Sequence, residues 1–95
     1  MIKKILFLFF VVFAATAYSQ DGTIAGRVMD ANSEPLVGVN VLVKGTTTGA
    51  ITDIDGNFSV SGKKGSTLVF SYIGMLTQEV VYKGTALRVV MKDDS

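Results

Sequence analysis

Cysteine, histidine and tryptophan are absent from the 95 residues, and proline occurs once, at position 35. Each absence removes a class of chemistry. Without imidazole or thiol there is no histidine general base, no thiolate nucleophile, no structural zinc site and no haem or iron–sulfur ligation of the common kinds. No disulfide braces the fold, and the length allows one small domain. Charge of either sign is also scarce. Lys3 and Lys4 lie in a segment read below as removable; without them seven of the nine basic residues face eight acidic ones, a net charge of −1. Nucleic-acid binding calls for a clustered basic face, which so balanced a chain does not supply.

What is present begins with an address. MIKK is followed by the apolar run ILFLFFVVF and then by the small-residue stretch AATAYSQ, the three-part pattern of a secretory signal peptide. The apolar stretch from Ile5 to Tyr18 spans 14 residues, short of the ~20 a membrane-crossing helix needs. A buried core helix would show a polar face, and none interrupts positions 5 to 13. Small residues permit cleavage after Ala17 or after Ser19, and the second is preferred, so that residues 1–19 form the signal and 20–95 the domain. No cysteine follows the run, which excludes a lipid-anchored lipoprotein. The short charged start and compact apolar core fit a bacterial export signal.

From Thr23 onward the apolar pattern has a period of two, in short β-branched runs separated by glycine-containing turns. Strands are expected to start near Thr23, Val39, Thr48, Asn57, Thr67, Leu76 and Ala86. This spacing predicts an all-β fold, a small antiparallel β-sandwich of about seven strands. Val39, Val41 and Val43 share one face, and Leu87, Val89 and Met91 another. The run TLVFSYI, Thr67 to Ile73, is apolar on both faces and reads as a central strand covered from both sides. Asp55-Gly56, between ITDI and NFSV, reads as a tight hairpin turn. Gly45, Gly62, Gly65, Gly74 and Gly84 mark other strand ends, and Pro35 a loop or edge position. The expected core comprises Ile24, Val28, Val39, Val41, Val43, Ile51, Phe58, Val60, Leu68, Phe70, Leu87 and Val89. About 76 residues lie near the lower limit for a core without disulfides or metals, so modest stability is expected.

Motifs that suggest chemistry dissolve when their spacing is checked. Asp53-Ile54-Asp55-Gly56-Asn57 has the alternating oxygens of a calcium loop. Aligning Gly56 with the loop glycine puts Ile51 at position one and Gly62 at position twelve, where carboxylates belong; starting at Asp53 instead puts Phe58 at the glycine. A hairpin turn explains the same residues without a metal. Asp53, Asp55, Glu34 and Glu79 lie on separate segments and read as solvated charge rather than a glycosidase pair. Nothing singles out Ser61 and Lys63 as a dyad. SGKKGS lacks the GxxxxGK[ST] spacing of a phosphate loop and leads into no helix. Asn57-Phe58-Ser59 matches a glycosylation sequon, which a bacterial export signal makes idle. Tyr72 and Tyr82 could line a sugar-binding face, though strand tyrosines more often cap a core. No cofactor and no small-molecule substrate is expected.

One ordered string is more informative than composition. GRVMDANSEPLVGVNVLVKGTTTGAITDIDGNFSV, then LVFSYIGMLTQEV and LRVVMK, resembles the carboxypeptidase-regulatory-like (transthyretin-like) β-sandwich domain. It is most similar to the version that follows the signal peptide in SusC/RagA-type TonB-dependent outer-membrane receptors of Bacteroidetes. The resemblance covers residues 22 to 92. It runs through Gly26, Val28, Asp30, Pro35, Leu36, Gly38, Val39, Val41, Val43, Gly45 and Thr46, then Gly49, Thr52, Asp53, Gly56, Phe58, Ser71 and Gly74. From these the structural motif is taken as Gly26, Asp30, Pro35, Leu36, Gly38, Gly45, Thr46, Asp53, Gly56, Phe58 and Gly74. No catalytic or metal-binding residue is assigned.

The resemblance implies location and company: an accessory, non-catalytic domain of an outer-membrane nutrient receptor, exported to the periplasm. Its partner is expected to be a receptor or TonB-system protein, or a plug and barrel in further sequence. Seven short strands cannot make a transmembrane barrel, so these residues transport nothing by themselves. Either a receptor fragment or a free-standing copy fits. Edge strands, the one at Thr23 or the last, LRVVMK, are expected to accept a partner strand. The alternative is an independent exported module that binds glycan or mediates adhesion through loops at one end of the sandwich.

Overall fold

A computed structural model describes residues 22–94. The signal segment expected at 1–19 lies outside them. Seven strands are present: β1 (Gly22–Met29), β2 (Asn40–Val43), β3 (Gly49–Ile51), β4 (Asn57–Gly62), β5 (Thr67–Ser71), β6 (Gln78–Val81) and β7 (Leu87–Val90). Each follows from a short alternating run ended by a turn residue. Gly45, Gly65, Gly74 and Gly84 all take positive φ between strands, a backbone state that residues with a Cβ resist.

The strands form two sheets, one ordered β4-β1-β7 and the other β3-β2-β5-β6. Two sheets bury their facing sides against each other because the strands direct their largest apolar side chains to one side. Ile24, Val28, Phe58, Val60, Val89 and Met91 project from the first sheet, and Val41, Val43, Leu68 and Phe70 from the second. The rings of Phe58 and Phe70 meet edge to face across the interface, 5.4 Å between centroids and 70° apart in plane, a favoured arrangement for aromatic quadrupoles.

Several expectations need correction. All strand pairs are antiparallel except β1 with β7, which is parallel. The strand at Thr23 is not an edge, since β1 lies between β4 and β7. Asp55-Gly56 does form a tight turn, yet β3 and β4 belong to different sheets, so the turn carries the chain across the sandwich. Only Gly56 has positive φ there, at 79°. Ile51 is 64% exposed: it sits on the outer side of a three-residue strand, and its neighbour Thr52 turns inward instead. Leu87 is half-buried at the start of β7, and Met29 and Met91 join the buried set. Thr67–Ile73 is not covered on both sides. Leu68 and Phe70 point into the core, Val69 lies half-buried on the outer face, and Ile73 is 91% exposed in the loop beyond β5. The fold has two layers, so among the described residues nothing packs on that outer face.

Candidate functional site

The motif residues are accounted for by backbone geometry. Gly26 lies in mid-β1, with Phe58 of β4 beside it in register on one side and Leu87 of β7 on the other. A Cβ there would come within 2.6 Å of the Leu87 carbonyl oxygen and 2.8 Å of the Phe58 ring. Its lack of a side chain lets the Phe58 ring lie over β1 and reach Phe70.

Asp30 and Asp53 build the same turn twice. Asp53 Oδ1 accepts the amides of Asp55 and Asn57, both at 2.9 Å. Its backbone oxygen accepts the Gly56 amide at 2.8 Å, and its own amide donates to the Asn57 oxygen at 3.0 Å. Asp30 Oδ1 accepts the amides of Asn32 at 2.8 Å and Glu34 at 3.0 Å. Its backbone oxygen accepts the Ser33 amide at 3.0 Å, and its amide donates to the Glu34 oxygen at 2.9 Å. Short acidic side chains favour such turns because they accept amides two and four residues on. The fourth position takes positive φ in both, as Gly56 in one turn and Ser33, at 64°, in the other.

The two turns flank the segment Pro35–Val39, which Thr52 holds in place. The Val39 amide donates to Thr52 Oγ1 at 2.9 Å, and the same hydroxyl donates to the Leu36 oxygen at 2.6 Å. Backbone bonds run both ways as well: the Gly38 amide to the Thr52 oxygen at 3.0 Å, and the Thr52 amide to the Val39 oxygen at 3.1 Å. Thr52 is the buried polar residue of the described chain, 2% exposed, and its hydroxyl acts as both donor and acceptor. Val28 ties this layer to the sheet, its amide donating to the Gly56 oxygen at 2.8 Å and its oxygen accepting the Leu36 amide at 3.1 Å. Gly56 must be glycine on two counts, since a Cβ would also lie 2.5 Å from the Val28 oxygen.

Strand directions sort the remaining residues to two ends of the sandwich. At the end where β1 and β7 finish lie Asp30, Pro35, Leu36, Gly38, Asp53, Gly56 and Gly74. Gly74 closes a turn in which the Met75 amide reaches the Tyr72 oxygen at 3.1 Å, and its own oxygen accepts the Asp94 amide at 3.1 Å. We call this end the tip. Gly45 and Thr46 lie at the opposite end, where Thr46 Oγ1 donates to the Val43 oxygen at 2.8 Å and accepts the Thr48 amide at 3.0 Å. The motif is therefore distributed over the fold rather than gathered into one site.

Charge is distributed unevenly. Six of the seven described carboxylates, Asp30, Glu34, Asp53, Asp55, Asp93 and Asp94, stand at the tip, while Lys63, Lys64 and Lys83 stand in the loops of the other end. The seventh, Glu79, pairs with Lys44 at 3.0 Å on the outer face of the second sheet, both side chains more than half exposed. Arg27 Nε donates to the Asp55 backbone oxygen at 3.1 Å. Tyr72 and Tyr82 pack against the core. An open hollow of about 610 Å³ lies on the outer face of the second sheet, beside Leu42, Gly49, Ile51 and Val69. Among the described residues no three metal-ligating side chains converge.

Sequence reasoning missed Thr52 as a buried clamp and the Asp30 turn as a copy of the Asp53 turn. The second had a signal, an aspartate followed three residues later by a residue at the position of Gly56, but serine there disguised it.

Comparison with known proteins gives a consistent result. Over 96 aligned residues the chain is 45% identical to the TonB-dependent receptor SusC of Bacteroides thetaiotaomicron, covering 100% of this chain and 10% of the receptor. It is 42% identical over 80 residues to the TonB-dependent receptor P39 of Formosa agariphila, covering 83% of this chain and 8% of that protein. The TonB-dependent receptor P3 of the same organism is 32% identical over 96 residues, with coverages of 98% and 10%. The chain thus spans about a tenth of the length of these relatives, in their N-terminal region. Among solved structures, chains in two type II cohesin–X–dockerin complexes from Acetivibrio cellulolyticus match with TM-scores of 0.57 and 0.58. They are 22% and 24% identical and cover 75% and 73% of this chain, and 57% and 56% of their own; the likeness is one of fold. The model for the CarboxypepD_reg-like domain matches residues 24–94, and the chain belongs to that family.

Proposed function

We propose that this chain is a non-catalytic, N-terminal accessory and interaction domain of a TonB-dependent outer-membrane receptor, as part of a longer receptor or as a copy acting in trans. The observation that carries the reading is the SusC alignment, which runs along the whole chain and takes up a tenth of the receptor. The geometry supports it. Asp30, Asp53 and Thr52 at the tip are engaged by backbone amides and carbonyls. A catalytic pair needs free acid and base groups facing a cleft. The export signal at residues 1–19, cleaved after Ser19, delivers the domain to the periplasmic side of the outer membrane, where such a receptor resides. The glycan-binding alternative draws no support from Tyr72 and Tyr82, whose rings are applied to the core rather than offered for stacking.

The test is recovery of a partner. An affinity-tagged chain, exported in its own host and cross-linked in the intact envelope, should retrieve a TonB-dependent receptor or an energy-transducing protein. Retrieval of neither, from cells in which the tagged domain is folded and exported, would overturn the reading.

A further inference from the structure

Large apolar side chains stand exposed at the tip: Val37 (52%), Ile54 (78%), Ile73 (91%) and Leu76 (46%). Single exposed apolar residues need no explanation. These come from three neighbouring loops held in fixed relation. Gly38 lies against Tyr72, the Cβ position of Gly56 lies 3.1 Å from Pro35, and the Leu76 amide donates to the Lys92 oxygen at 2.8 Å. Backbone hydrogen bonds at Asp53, Thr52 and Gly74 fix the turns that carry them, so their exposure belongs to a structured surface. The outer face of the first sheet is mostly polar, presenting Thr23, Ala25, Arg27, Asn57, Ser59, Ser61, Arg88 and Val90, while Leu42, Ile51 and Val81 are exposed on the second sheet.

The charge at this end specifies what can cover these side chains. The six tip carboxylates stand at the same end, together with Lys92 and the flanking Arg27 and Arg88. Exposed apolar side chains at an end with an excess of carboxylates are complementary to a segment with apolar side chains between cations, and that end repels an acidic segment. In the receptors this chain resembles, the match falls in the N-terminal region, so the rest of those chains follows from this same end.

From these features we infer that the tip is a docking surface for a polypeptide segment of alternating apolar and basic side chains, its apolar groups seated on Ile54, Ile73, Val37 and Leu76. The inference deepens the receptor reading by naming the surface through which the domain meets its partner.

The test uses a defined probe, a seven-residue peptide alternating lysine and leucine, titrated into isotopically labelled chain purified from the periplasm. Amide shifts should concentrate at residues 37, 54, 73 and 76, with saturable binding that weakens about tenfold between 50 and 300 mM salt as the tip carboxylates are screened. Ile54→Ser with Ile73→Ser, and separately Asp55→Asn with Asp93→Asn and Asp94→Asn, should each weaken binding at least about fivefold. All five side chains are exposed, so both variants should keep the wild-type melting temperature. The same peptide with glutamate for lysine should not bind. Absence of saturable binding up to millimolar peptide would overturn the proposal. So would shifts centred on a sheet face or the lysine-bearing end, equal binding by the variants, or equal binding of the glutamate peptide. Peptide binding at the tip without recovery of a receptor from the envelope would leave this surface standing and remove the receptor reading; the reverse result would do the opposite.

Discussion

Replacing Thr52 with valine keeps the shape of the side chain and deletes its hydroxyl, which isolates the contribution of that one group. The hydroxyl accepts the Val39 amide and donates to the Leu36 carbonyl, so the variant leaves two backbone groups without partners in a position 2% exposed. An unpaired buried group costs about 1–3 kcal/mol. The Val39 amide is buried and should bear most of that, whereas the Leu36 carbonyl is only part-buried and can turn to water. The expected loss is therefore about 2–3 kcal/mol, a large share of the ~4–11 kcal/mol that a domain near 75 residues has in all. Because a kcal/mol moves the midpoint of so small a domain by about 4–8 °C, the melting temperature should fall by roughly 10–20 °C. The chain has no tryptophan, so far-UV circular dichroism of periplasmically purified protein is the appropriate readout, by heat and by urea. Thr52→Ser, which keeps the hydroxyl and loses one methyl, should cost about 1 kcal/mol. If Thr52→Val lies within about 0.5 kcal/mol of the parent, or if the serine variant is as unstable as the valine one, the hydroxyl clamp is not what holds the 36–39 segment.

The paired aspartate turns offer a contrast in sign. Ser33→Gly should stabilise the domain by about 0.5–1 kcal/mol, because glycine takes φ 64° without a Cβ penalty; Gly56→Ala should destabilise it by about 3 kcal/mol, since its Cβ would meet the Val28 oxygen. Urea midpoints of the two variants moving in the same direction would refute the equivalence of the turns. Gly26→Ala should cost at least about 2–3 kcal/mol and disturb the Phe58–Phe70 pair, seen as a lower melting temperature and altered ring shifts in NMR spectra. Asp53→Ala removes an acceptor shared by two amides and should cost about 1–2 kcal/mol, with Asp53→Asn closer to the parent because its carbonyl still accepts. A double-mutant cycle on Lys44 and Glu79, both more than half exposed, should return a coupling below about 0.5 kcal/mol that fades with salt.

Much of the fold was legible because strand positions follow from local alternation. Starts expected at Asn57 and Thr67 coincide with β4 and β5, and those at Thr23, Val39, Thr48 and Ala86 fall one residue away from the observed ones. Leu76 was assigned two residues too early, since Leu76 and Thr77 belong to the turn region behind Gly74. Pairing was not legible, because alternation says which side of a strand is buried and nothing about its neighbour. Hence β1 was read as an edge when it is central, and the parallel β1–β7 pair was not foreseen. Ile51 misled for a related reason: in the edge strand β3 its outward position leaves it uncovered, while the inward one belongs to Thr52, whose burial depends on two backbone partners far from it in sequence. The motif residues come from the resemblance alone; in the structure, positive φ, close approaches and turn hydrogen bonds are found at Gly26, Asp30, Asp53 and Gly56. The apolar tip was not legible, because Val37, Ile54 and Ile73 lie in segments far apart in sequence that only the topology brings to one end.

The most direct test of the accessory-domain account is substrate uptake by a chimera. In B. thetaiotaomicron, the region of SusC that aligns with this chain would be deleted, or replaced by residues 22–94, and uptake compared at equal receptor levels in the outer membrane. The account expects the deletion to impair uptake and this chain to restore most of it. If the deletion has no effect, or if the chimera, folded and inserted in equal amount, transports no better than the deleted receptor, the account is contradicted.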